Sequence, residues 1–116
     1  MKIRDCKNYI KTRNFTSFGN LIEQEAIEMH AVALTSNPPL IYWYPETVQV
    51  MKAIQQWRKE GLESYFTINT GHNIHIIIEA KNQSTVVKKL QRISGVQDII
   101  TNKPALGARI IKKHLF

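Results

Sequence analysis

Residues 65–78, YFTINTGHNIHIII, decide how this chain folds. Two β-rich runs, 65–68 and 74–78, flank a polar centre holding Asn69, Thr70, Gly71, His72 and Asn73. Side chains alternate along a strand, so Ile74, Ile76 and Ile78 share one face while His75 and Ile77 share the other. Gly71 is free to take a positive φ between them. The stretch therefore predicts an antiparallel hairpin. Its centre, FTINTGHN at 66–73, is either a plain corner or a corner that carries chemistry.

Outward from the hairpin the chain reads as helices. Upstream, Val50, Ile54 and Trp57 recur at i, i+4 and i+7, with Pro45 suited to a first helical turn, Glu46 to its positive end and Gly61 as the stop. Before that, SNPPLIYWYPET at 36–47 separates this helix from an earlier one. The earlier helix starts near Asn14 as N-cap and ends near Thr35. Its apolar stripe is read as Phe18, Leu21, Ile22, Met29 and Ala33, widened by Ile27 and Leu34. Residues 4–11 look like the tail of another helix. Downstream, residues 83–93 carry a stripe of Val86, Leu90 and Ile93, capped near Ser84 and closed by Gly95. Residues 96–100 and 109–112 read as two further strands joined by TNKPALGA. Four antiparallel strands with helices on one face make an α+β sandwich of the ferredoxin-like kind.

Composition bounds the rest. At 116 residues and 43% hydrophobic, residues 1–116 are expected to form one domain. No run approaches the roughly 18 apolar residues of a membrane span, and the start MKIRDCKNYI lacks a signal peptide's apolar stretch. A cytoplasmic, soluble chain is the expectation. A single cysteine, Cys6, excludes an intramolecular disulfide and a cysteine-based zinc cluster. The net charge of +7 gathers near the two ends: residues 1–13 hold five Lys or Arg against Asp5, and residues 80–116 hold eight against Asp98. That could serve nucleic acid through Lys81, Lys88, Lys89 and Arg92, or simply form a solvated rim. No zinc-finger spacing, Arg/Gly-rich segment or RNA-stacking motif supports the nucleic-acid reading.

Catalytic signatures are sparse. The five glycines are scattered, with no Walker or dinucleotide loop. The four histidines, His30, His72, His75 and His114, show no HExxH spacing, and His72 and His75 are expected to diverge across the strand start. No metal site is expected. No serine sits in a nucleophile elbow. The aromatic run Ile41, Tyr42, Trp43, Tyr44 reads either as a loop clamped on the core or as a cleft wall.

Several segments in this order carry a resemblance: EMHA (28–31), NPPLIYW (37–43), PET (45–47), VM (50–51), WRKEG (57–61) and YFTINTGHN (65–73). Together they resemble the C-terminal domain of diphosphomevalonate decarboxylase, in the small-molecule kinase superfamily, over about residues 4–111. The resemblance implies a domain whose full enzyme uses ATP and Mg to phosphorylate and decarboxylate mevalonate diphosphate for isoprenoid synthesis. In that family the hairpin carries a Phe-Asp-Ala-Gly-Pro-Asn type motif whose aspartate lies against the substrate's C3 hydroxyl. Position by position, Asn69 stands for the aspartate, Thr70 for the alanine and His72 for the proline, while Gly71 and Asn73 are retained. Asn69 is thus the implied catalytic position. Thr67, Thr70, Gly71, Asn73 and Tyr42 are the implied substrate-side residues, with His30 beside Tyr42. An amide can hydrogen-bond a hydroxyl but cannot take its proton at neutral pH.

The family's ATP-binding N-terminal domain has no counterpart in this sequence, so the chain is expected to supply one wall of a site, to bind no cofactor alone and to be inactive alone. Its expected partner is that N-terminal domain or a second copy. The alternative is a stand-alone, non-catalytic ferredoxin-like interaction module.

Overall fold

A computed structural model describes residues 1–110. Its order is α1 (Lys2–Lys11), α2 (Phe15–Leu34), α3 (Pro45–Lys59), β1 (Ser64–Thr67), β2 (His75–Ile78), a 3₁₀ turn (Ala80–Asn82) and α4 (Gln83–Gln91). The helix ends follow local chemistry. Asn14 caps α2 through its side-chain oxygen, which accepts from the Ser17 N–H at 3.1 Å. Pro45 opens α3, and Gly61, at φ +95°, lets the chain turn out of it. Cys6 is free and half-buried in α1.

β1 and β2 pair antiparallel, with Tyr65 opposite Ile77 and Phe66 opposite Ile76. The hairpin expected from the sequence is present, and the molecule is α+β. Among the described residues the sheet has two of the four expected strands. Residues 96–100 are irregular rather than extended. The reason is their spacing, because Val96 and Ile99 pack onto the core at i and i+3, a spacing that strand alternation does not allow. Asp98 also takes the Ile99 N–H with its own carboxylate at 2.8 Å, withdrawing a donor from any ladder. Residues 109 and 110 are exposed and irregular, and 111–112 lie outside the described residues.

The core closes on Phe66, which has no solvent exposure. Val50, Met51, Ile54 and Trp57 of α3 meet it with Val86 and Leu90 of α4, and Ile76 and Ile78 pack alongside. Burying each such side chain contributes about 1.5–3 kcal/mol. The periodicity of α3 and α4 was legible for this reason: their buried faces are apolar. α4 is shorter than expected, Ser84 lies inside it, and Gly95 comes after it, where a side chain would strike Glu46.

α2 departs from its expected stripe. Its buried residues are Gly19, Glu23, Ala26 and His30, while Met29 and Ile27 are exposed. The cause lies in β1. Its residues 64, 66 and 68 turn their backbone groups away from β2, and these need partners. The Phe66 N–H donates to Glu23 at 3.3 Å, the Ser64 carbonyl accepts from Arg58 at 2.7 Å, and the Ile68 carbonyl accepts from His30 Nε2 at 3.3 Å. Side chains thus occupy the place of a neighbouring strand. Glu23 and His30, seven residues apart, lie on one helical face for that purpose.

Gly19 completes the contact. A Cβ there would come within 2.1 Å of the Tyr65 ring, so α2 approaches β1 closely only because this residue has none. Since Tyr65 and Phe66 point to opposite sides of β1, α2 and α3 flank the strand rather than sharing one face.

Candidate functional site at the hairpin turn

The turn between β1 and β2 borders an open cleft of about 320 Å³ lined by Asn69, Thr70, Gly71, His72, Asn73 and His75. β1 delivers Asn69 directly after Ile68, whose side chain is 1% exposed and whose carbonyl is held by His30. The turn is pinned from the other side by α3. Thr47, 5% exposed, accepts from the Tyr44 N–H at 3.2 Å and donates to the His72 carbonyl at 2.9 Å. One hydroxyl therefore ties the start of α3 to the middle of the turn. The Tyr44 ring also stacks on His72, with centroids 4.3 Å apart and planes 6° from parallel. Gly71, at φ +159°, is nearly extended, so the turn does not depend on a left-handed residue there.

Four of the residues implied by the sequence, Asn69, Thr70, Gly71 and Asn73, come together on this cleft. Thr67 and Tyr42 do not line it. Thr67 pairs with His75 inside the ladder, and Tyr42 lies edge-on to His30 at 5.8 Å. His30 is 2% exposed, also 4.9 Å from the Trp43 ring, and acts on the strand edge rather than on the cleft. Within the aromatic run, Trp43 packs on the core, and Tyr44 stacks on His72 without itself lining the cleft.

The sequence reading did not single out His72, His75, Tyr44 and Thr47 for this site. His72 and His75 border one cleft instead of diverging, because His72 belongs to the turn, where strand alternation does not apply. Thr47 could be suspected only as the third residue of a helix. Its link to His72 spans 25 positions and has no local signature.

A second cleft, of about 360 Å³, lies at the other end of β1, lined by Thr16, Asn20, Arg58, Gly61, Glu63 and Tyr65. Its polar groups are largely engaged with one another. Arg58 makes two 2.8 Å bonds to Glu23, which hold its guanidinium pKa above the usual value, and Glu63 accepts from Thr16 and from the Tyr65 hydroxyl. The Tyr65 phenol is pushed up by burial first and by the Glu63 hydrogen bond second. This region braces the fold.

No group of three or more His, Cys, Asp or Glu able to hold a metal occurs among the described residues, and no glycine-rich phosphate loop is present in the sequence. The residues lining the turn cleft are two amides, a hydroxyl, a glycine and two imidazoles. No described helix is long and apolar enough to cross a membrane.

Fold and cleft together define an α+β domain with an open cleft at its hairpin turn. The family model described as the mevalonate 5-diphosphate decarboxylase C-terminal domain matches residues 1–111, and the chain belongs to that family. It is 31% identical over 103 residues to the diphosphomevalonate decarboxylase of Debaryomyces hansenii, covering 84% of this chain and 26% of that protein. The solved mevalonate diphosphate decarboxylase of Enterococcus faecalis superposes with a TM-score of 0.76 at 32% identity, covering 81% of this chain and 30% of its own. MDDEF, solved in complex with MVAPP, AMPPCP and magnesium, matches equally well, with a TM-score of 0.76 at 32% identity over 81% of this chain and 29% of that one. The chain thus spans between a quarter and a third of the length of these relatives.

Proposed function

We propose that this chain is the C-terminal wall of an ATP-dependent decarboxylase acting on mevalonate diphosphate or a close analogue, cytoplasmic and inactive by itself. The observation that supports this reading is that Asn69, Thr70, Gly71 and Asn73 line one cleft, at the turn that the family resemblance implies for the reacting hydroxyl. Asn69 orients that hydroxyl by hydrogen bonding, and Thr70 and Asn73 supply further donors and acceptors. Thr67 and Tyr42 support the turn from behind it.

Nucleotide and metal are assigned to an N-terminal domain of the complete enzyme, as the family resemblance implies. Residues 1–116 act as one unit that docks to it. β2 has no strand on its outer edge among the described residues, and in the complete enzyme that edge takes further strands to give a four-stranded sheet.

The test is to assemble the chain with the ATP-binding half and follow ATP-dependent release of CO₂ and phosphate from mevalonate 5-diphosphate. Release that needs both halves supports the reading, and no release from the assembled pair refutes it. Exposure of Val32 and Ile41, 71% and 72%, favours a second reading in which the domain pairs with another copy. Concentration-dependent dimerisation in sedimentation, with no docking to an ATP-binding half, is the result that reading expects.

A further inference from the structure

Among the described residues that line it, the cleft at the turn has no carboxylate. Of its six lining residues, two asparagine amides, one threonine hydroxyl and one glycine cannot accept a proton at neutral pH. The other two, His72 and His75, can. Chemistry that takes a proton from an alcohol in this cleft therefore has imidazole as the acceptor available on its walls.

The two imidazoles are not equivalent. His72 is held twice, its ring stacked on Tyr44 at 4.3 Å and its carbonyl bonded to Thr47 at 2.9 Å. His75 is held by the ladder through its backbone opposite Thr67. The Tyr44 ring at the start of α3 stacks on His72, and His75 in β2 lines the same cleft. Among the described residues no ion pair involves either imidazole. A ring with a fixed plane and an exposed position suits a proton acceptor, because its reactive nitrogen approaches a bound hydroxyl along a set direction.

We propose that His72 is the proton acceptor of this site, taking over what Asn69 cannot do. The proposal rests on the functional reading above. The O–H bond of the tertiary alcohol breaks toward the lone pair of a His72 ring nitrogen as the alcohol oxygen bonds to the transferred phosphoryl group. The leaving nucleoside diphosphate keeps the electron pair of the broken P–O bond, and the imidazolium afterwards gives its proton to water. Asn69 orients the same hydroxyl through a hydrogen bond.

The experiment uses the chain assembled with its ATP-binding half and compares H72Q in the native and N69D backgrounds, with H75Q as control and thermal melting to verify folding. In the native background H72Q should lower kcat by about 10²-fold or more, with little change in KM. N69D places a carboxylate beside the hydroxyl. There H72Q should lose most of its cost, a dependence that a merely structural role for His72 does not produce. Equal loss in both backgrounds, or a loss that follows H75Q instead, overturns the proposal while leaving the functional reading intact. No CO₂ or phosphate release from the native pair overturns both.

Discussion

Glu23 offers the sharpest test of how this fold is held. Its carboxylate, 10% exposed, receives two 2.8 Å bonds from Arg58 and the Phe66 N–H at 3.3 Å. Glu23→Ala removes all three. Breaking a buried ion pair by deleting one partner typically costs about 3–5 kcal/mol. Here Arg58 is 25% exposed and keeps the Ser64 carbonyl, so it regains some hydration and its part of the loss falls at the low end. The Phe66 N–H has no such recourse, because its residue is fully buried, and an unsatisfied buried donor costs about 1–3 kcal/mol. The expected total is at least about 4 kcal/mol, a large share of the roughly 5–15 kcal/mol that stabilises a domain. Urea unfolding should show a midpoint lowered by on the order of 2 M, and hydrogen exchange should show the Phe66 amide losing its protection. Glu23→Gln keeps one acceptor oxygen but turns an amide donor toward Arg58, so it should fall between wild type and Ala. A loss under about 1 kcal/mol, or unchanged Phe66 exchange in Glu23→Ala, would refute the assignment of α2 as the partner of the β1 edge.

Three further outcomes follow from the same contacts. Gly19→Ala, which at an ordinary helical site gains about 1 kcal/mol, should instead destabilise by about 1–3 kcal/mol because its Cβ meets the Tyr65 ring at 2.1 Å, as read from thermal unfolding. Thr47→Val keeps the side-chain shape but leaves the His72 carbonyl without its donor. It should cost about 1–2 kcal/mol and speed amide exchange across residues 69–73 more than in α4. The raised Tyr65 pKa fixes a sign: the folded state keeps a proton that the unfolded chain releases above about pH 10, so this contribution is full below that pH and is lost as pH rises through the folded value. Denaturant titrations from pH 8 to 11 should show a steeper alkaline decline in wild type than in Tyr65→Phe, and parallel curves would count against the linkage.

What the sequence determined by itself is what depends on neighbours a few residues apart. The hairpin was legible from alternation on either side of a polar turn, α3 from Val50, Ile54 and Trp57, and the cap of α2 from Asn14, since each signal lies within one or two turns of the chain. The segments shared with the decarboxylase family were legible for the same reason, as short words in a fixed order, and the family match over residues 1–111 agrees with them. The tertiary structure decided the rest. It turned α2 onto a polar face, because the open edge of β1 needed Glu23 and His30 more than the core needed Met29. It left residues 96–100 irregular, because Val96 and Ile99 found the core at a spacing that no strand provides. It set His72 against Tyr44 and Thr47, across 28 and 25 positions of chain. A hydrogen-bonding group has a partner only once the backbone has been brought to it, and no local pattern of residues records which distant group that will be.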